Sequence, residues 1–361
     1  MRKLLSMMFL AFALTSGGEE AQKVFDKPRL SGYAIGEYCY SSQHEEESNS
    51  FNLRVVRLSL DGHLFRDFAY KLQGQINGNT STLGSSPRLV DAFVEWQKHS
   101  ELKIKVGQFK VPFTFENPMN PIDQGFMSYA QCVSKLSGMS DRTGEHASNG
   151  RDLGVQVQGD VLTTKSGRPL LHYQIGVFNG QGINTKDVDN RKDIIGGAWF
   201  MPIAGLRLGA FGWTGSYARK GTDGVKSLSK DRYAISGEYV ADGWTLRSEY
   251  IHSTGYGFKT VYNEKEDLSK DEVNNASGDK ADGFYAMIMA PMMKKKLHLK
   301  ARYDIYRPQA EWGTSKTYYE LGFNYLIVKG LQVNVEYCLV NDRSLEKSNY
   351  SMINTQLSFR F

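Results

Sequence analysis

The chain has 361 residues, with 36 Gly, 20 Tyr and 19 Phe, a formal net charge of +5 and a negative mean hydropathy. A negative mean hydropathy excludes a helical membrane protein, and so modest a charge does not imply a nucleic-acid partner, so none is expected. Three cysteines, Cys39, Cys132 and Cys338, cannot all pair and form no C-x-x-C, which excludes a disulfide scaffold.

At the amino end, Arg2 and Lys3 precede the apolar run Leu4 to Leu14, and small and polar residues follow to Gln22. About eleven apolar residues are too few to span a bilayer as a helix and fit the hydrophobic region of an export signal. Residues 1–21 are therefore expected to be a signal peptide. Cleavage is open between the Ser16 to Gly18 region and Ala21. Residues 22–361 form the body.

The body breaks into alternating runs of about ten residues, roughly sixteen in all, the length a tilted strand needs to cross the hydrocarbon of a membrane. They lie near 30–40, 52–65, 67–78, 88–98 and 101–110, then 151–162, 170–179, 192–202, 205–216, 230–240 and 243–254, and finally 281–291, 295–306, 316–328, 330–341 and 349–361. In W-T-L-R-S-E-Y the residues Trp244, Leu246 and Tyr250 share one face, with Thr245, Arg247 and Glu249 on the other. In L-H-L-K-A-R-Y-D-I-Y, Leu297, Leu299, Ala301, Tyr303 and Ile305 oppose His298, Lys300, Arg302 and Asp304. A soluble sandwich alternates too, but in strands of about five or six residues.

Between the fifth and sixth runs the alternation stops. Residues 111–150 are far longer than the loops of about 4 to 6 residues usual in compact domains. Phe113, Phe115, Met119, Phe126, Met127, Tyr129 and Met139 argue that this loop packs inside something, because disordered tracts are poor in such residues. The other connections alternate. Short turns (65–67, 98–101, 163–169, 202–205, 241–243, 291–294, 329–330) separate long polar loops (41–50, 79–87, 111–150, 180–191, 217–229, 255–280, 307–315, 341–348). Three turns read I-A-G-L, A-D-G-W and V-K-G-L, with Gly at the position that needs positive φ. Short turns on one rim and long loops on the other are the asymmetry of an outer-membrane barrel. The last run ends the chain at Phe361, similar to the assembly signal of such barrels. The expectation is all-β: a transmembrane antiparallel β-barrel of about 16 strands, with its third external loop folded inward.

No nucleophile motif accompanies the scattered His63, His172, His252 and His298, so no enzyme, cofactor or metal site is expected. The acidic stretch within Tyr262 to Lys280 lacks the glycine and ligand spacing of an EF-hand, and His44-Glu45-Glu46-Glu47 reads as a solvated loop tip.

Four phrases carry a resemblance. They are R-V-V-R-L-S-L-D-G-H-L-F (Arg54 to Phe65), D-A-F-V-E-W and V-G-Q-F-K-V-P-F (within Asp91 to Phe113), and G-R-D-L-G-V-Q-V-Q-G (Gly150 to Gly159). Together they resemble the phosphate-selective porin O and P family of Gram-negative bacteria. The resemblance implies a sixteen-stranded barrel, usually a homotrimer, in the outer membrane among phospholipid and lipopolysaccharide. It implies passive diffusion of small hydrophilic solutes, in some members biased toward anions such as phosphate. Two other readings remain: a substrate-specific channel for oligosaccharides or phosphorylated compounds, and a surface or adhesion barrel without significant transport.

If the apolar faces meet lipid, the lumen receives Arg57, Lys71, Lys103, Lys105, Arg247, Lys300 and Arg302 as candidate pore-lining cations. Asp61, Asp91, Asp152, Glu238, Glu249, Asp304 and Glu336 fall among a similar number of acids. Selectivity then depends on which charges line the narrowest point. In the expected constriction loop, Lys110, Glu116, Lys135 and Arg142 are the candidate charged residues.

Overall fold

The computed structural model describes residues 27–77, 87–139, 148–221, 224–258 and 273–361. The expected leader at 1–21, Arg142 and most of the acidic stretch after Tyr262 lie outside the described residues. The first eight strands are β1 (Arg29–Ser41), β2 (Ser48–Leu64), β3 (Phe68–Gln75), β4 (Arg88–Trp96), β5 (Lys103–Lys110), β6 (Arg151–Thr163), β7 (Pro169–Phe178) and β8 (Asp193–Phe200). They continue as β9 (Leu206–Gly221), β10 (Gly224–Ala241), β11 (Trp244–Thr254), β12 (Lys280–Met292), β13 (Leu297–Arg307), β14 (Lys316–Val328), β15 (Leu331–Asp342) and β16 (Asn349–Arg360). Each pairs antiparallel with its neighbours in sequence, and β1 pairs with β16, so the sheet is a closed barrel with no free edge. At the seam Gly32 and Phe361 exchange both backbone hydrogen bonds at 3.1 Å, so the last residue of the chain takes part in closure.

The alternation sorts side chains as the sequence implies. On β11 Trp244 and Leu246 are exposed while Arg247 and Glu249 are buried; on β13 Leu299 and Tyr303 are exposed while Lys300, Arg302 and Asp304 are buried. A closed sheet has one inner face, and polar residues from widely separated strands meet there. The outer face carries a belt of Leu, Ile, Val, Phe and Tyr on strand after strand.

Gly205, Gly243 and Gly330 take φ of +81°, +90° and +86° in the short turns, as the repeated turn phrases require. One element differs from expectation. Residues 217–221 and 224–229 are strand where a loop is expected: β9 and β10 continue in register from Ser216–Ser229 out to Gly221–Gly224. This long hairpin pairs Arg219 with Lys226 and Lys220 with Val225, and its polar content hides its strand character.

Candidate functional site: the inner face and the 111–150 loop

The loop leaves β5 through a neck. Val111 N donates to Gly150 O (2.9 Å), and Asn117 Nδ2 donates to Val111 O (3.0 Å). Gly150 has φ of +69°, and a Cβ there would lie 2.0 Å from Asn117 Oδ1, so only glycine fits. Beyond the neck, Phe113, Phe115, Phe126, Cys132, Val133, Leu136 and Met139 form one apolar cluster with inner-face residues of β5 and β7–β13, including Phe109, Phe178, Phe211, Trp213, Tyr285 and Met287. Phe113 lies edge-on to Phe211 and Trp213, with centroids 6.4 and 5.6 Å away. Met119 and Tyr129 are only half-buried. A helix of six residues, α1 (Gln131–Leu136), forms within the loop. So short a helix is held by its packing, since Cys132, Val133 and Leu136 are all buried.

Buried backbone needs partners, and the inner-face carboxylates supply them. Glu249 accepts from Phe115 N (2.9 Å), Glu116 N (2.8 Å) and Tyr285 Oη (2.7 Å). Glu336 accepts from Met127 N, and Asp304 from Gln131 N at the start of α1, both at 2.8 Å. Inner-face cations bind the loop's carbonyls in turn: Lys300 donates to Gly125 O, Arg302 to Ser128 O and Arg232 to Leu136 O, each at 3.0 Å. The same cations pair sideways, Lys300 with Glu336, Arg302 with Glu320, and Arg247 with Glu238. The side chains of Arg247, Lys300 and Arg302 are 4 %, 0 % and 0 % exposed. Of the seven lumen cations read from the sequence, these three lie beneath the loop, engaged with it and with carboxylates. Glu116 is buried too. Its Oε2 accepts from Ala130 N (3.0 Å), and its Oε1 lies 3.8 Å from Arg247 Nη1. Burial pushes its carboxyl up to about 7, against the pull of Arg302 and Arg247, with the nearby Glu249 adding to the rise.

The other half of the inner face differs. Between the loop and β2–β7 lie two cavities, of about 320 and 240 Å³, and Lys110 lines both. Among the described residues the first is bounded by Arg54, Arg57, Arg88 and Lys110 with Gln75 and Tyr129, and by no carboxylate. Among the described residues Arg57 donates to neutral partners, Gln75 Oε1 (3.2 Å) and Tyr33 Oη (3.1 Å). The second is lined by Lys71, Lys105, Lys110 and Arg151, with Asp91 as its carboxylate. Arg151 holds Asp91 in a two-point contact, at 2.6 and 3.2 Å. Lys110 Nζ is tied to the loop through Asn117 O (2.6 Å) and Tyr129 Oη (3.0 Å). The structure thus gathers Arg57, Lys71, Lys105 and Lys110. Lys103 is half-buried on β5 outside both linings, and Lys135 is exposed on α1.

Arg54, Arg88 and Arg151 are additions that strict alternation does not single out. Pairing jumps from Ile35–Val55 to Gly36–Leu53, which leaves Arg54 as the extra residue of a bulge. Likewise Gln73 pairs with Asp91 and Gly74 with Leu89, which leaves Val90 as the extra residue and restores Arg88 to the side of Asp91. Bulges re-aim side chains, and here both re-aim an arginine toward the same cavity. Arg151 stands one residue before Asp152, and both are buried at the loop's return to the wall.

The family model described as phosphate-selective porin O and P matches residues 34–190, which include the basic half of the inner face and the loop. No curated protein matches the chain. Solved structures share the fold at low identity. The anion-selective porin from Comamonas acidovorans is 13 % identical with a TM-score of 0.67, covering 93 % of this chain and 99 % of that one. Salmonella typhi OmpF, in a complex with daunomycin, is 12 % identical with a TM-score of 0.65, covering 93 % and 98 %. The outer membrane channel DcaP of Acinetobacter baumannii is 13 % identical with a TM-score of 0.62, covering 94 % and 98 %. Among the described residues no group of His, Cys, Asp and Glu is arranged to hold a metal ion.

Proposed function

We propose that this chain is a porin of the bacterial outer membrane, a passive channel for small hydrophilic solutes that prefers anions, with the 111–150 loop as its constriction. The membrane assignment is supported by the continuous apolar belt, because water-soluble monomers rarely expose contiguous apolar patches above a few hundred Å². In this orientation the short turns face the periplasm and the long loops the cell exterior. The third long loop folds back into the lumen and fills the side lined by β8–β16. Solutes then pass along β2–β6, over Lys110.

The observation that carries the anion preference is the segregation of charge. Inner-face carboxylates on β11, β13 and β15 are engaged by loop amides, and Glu336 by Lys300 as well, whereas among the described residues the first cavity is bounded by four cations and no acid. Rings of one sign at a narrow, poorly solvated point select the opposite ion. Inorganic phosphate is the first anion to test, given the family that residues 34–190 match. A homotrimer belongs to the same proposal and rests on that resemblance alone. In a planar bilayer under a potassium chloride gradient, the expected reversal potential has the sign of chloride preference. A potential of potassium sign removes the anion reading, and absence of conductance favours the adhesion barrel.

A further inference from the structure

Four of the short turns on one rim place glycine at positive φ; those joining β2 to β3, β4 to β5 and β12 to β13 do not, and the last holds the longest left-handed run. Met293, Lys294 and Lys295 hold φ of +45°, +57° and +68° in succession, a left-handed run that glycine adopts freely and side chains resist. Strained backbone of this kind is kept where the side chains themselves are needed. Residues Met292 to Lys296 are all exposed, and Met293 is 66 % exposed despite its apolar side chain. Among the described residues none of Lys294, Lys295 and Lys296 forms an ion pair. The flanking turns bring Asp242 on one side and Lys329 on the other, so four lysines face one carboxylate. The outer belt reaches this turn, with Trp244, Met292 and Val328 exposed beside it. Contact across the turns is direct: a Cβ on Gly243 would lie 3.2 Å from Lys295 Cδ, and Leu326 N donates to Lys296 O (2.8 Å).

We propose that this turn anchors the barrel to an anionic phospholipid leaflet, with Met292 and Met293 entering the acyl boundary and the lysines engaging headgroup phosphates. The inference rests on the barrel spanning a membrane with its short turns at the phospholipid side. Basic residues at a bilayer surface attract anionic lipid within a Debye length, and apolar neighbours fix their depth. The Met-Lys-Lys-Lys order supplies both at one turn.

The test uses the full chain folded into mixed vesicles of phosphatidylglycerol and phosphatidylcholine, with bromine on the acyl chains of one or the other. Bromine quenches nearby tryptophan, and the Trp244 signal is isolated by subtracting the Trp244→Phe variant. The expected result is a relative binding constant for phosphatidylglycerol over phosphatidylcholine of about 3 to 5. It should fall to about one in the triple variant Lys294→Gln, Lys295→Gln, Lys296→Gln, and in 1 M salt, where the Debye length is about 3 Å. A wild-type value of one overturns the inference, and so does a preference that survives the triple substitution. If the protein does not insert, seen as no heat-dependent mobility shift from the vesicles, the membrane reading itself fails and takes this inference with it.

Discussion

Arg57 and Arg302 occupy equivalent inward positions on their strands and carry the same charge, yet their surroundings give them different roles. Arg302 lies under the loop against Glu320 and the Ser128 carbonyl, whereas among the described residues Arg57 donates to Gln75 and Tyr33 beside a cavity. Reversing charge at the cavity, as Arg57→Glu with Arg88→Glu, is expected to lower the chloride-to-potassium permeability ratio about tenfold, measured in a planar bilayer. Arg302→Gln should instead weaken the loop's hold, by about 3 kcal/mol for a buried pair that loses one partner, with increased protease access to the loop as the readout. That difference was invisible in the sequence. Alternation gave nearly equal lists of inward acids and bases, because it reports the face of a residue and not its partner. Arg54 and Arg88 escape it further, since two bulges place them. Glu116 was legible as a loop charge but not as one buried beside Arg247. Its carboxyl, raised to about 7, favours the folded loop while protonated. That contribution is fully present below the unfolded value near 4.5 and is lost as pH rises through about 7. Loop protection from protease should therefore be greater at pH 5 than at pH 8, and Glu116→Gln should flatten the difference.

At the scale of elements, strand positions and the alternation of short and long connections were readable because a membrane-length strand repeats one simple period for about ten residues. The hairpin tip of β9 and β10 was not, since strand continuing past an apolar belt has no apolar face to reveal it. The burial of Phe113, Phe115, Phe126, Met127 and Met139 in the 111–150 loop was legible from their residue types; its helix was not, because six residues form one only against a wall. The hydrogen bonds from loop amides to Glu249, Glu336 and Asp304 join residues far apart in the chain, and no local pattern marks them. Replacing Met119 to Ser140 by a short Gly-Ser linker should raise single-channel conductance about two- to threefold, because a barrel of this strand number is wide without a filling loop. It should also bring the reversal potential toward zero while the barrel still assembles. Unchanged conductance would place the constriction elsewhere.

At the scale of the whole molecule, the closed sheet makes the barrel resistant to unfolding, since every strand has two hydrogen-bonded neighbours and Phe361 closes the seam. In detergent gels the unboiled protein should run at lower apparent mass than the boiled protein, and deletion of Phe361 should reduce the heat-shifted fraction. The inner face then divides into a filled half, where acids and bases are engaged with the loop, and an open half lined by Arg54, Arg57, Arg88, Lys71, Lys105 and Lys110, with Asp91 held by Arg151. The reversal potential of the purified protein in a planar bilayer, under a tenfold potassium chloride gradient at pH 7, tests that division most directly. The account predicts a potential of chloride sign that diminishes as salt screens the cations; a potential of potassium sign, or none across a conducting channel, contradicts it.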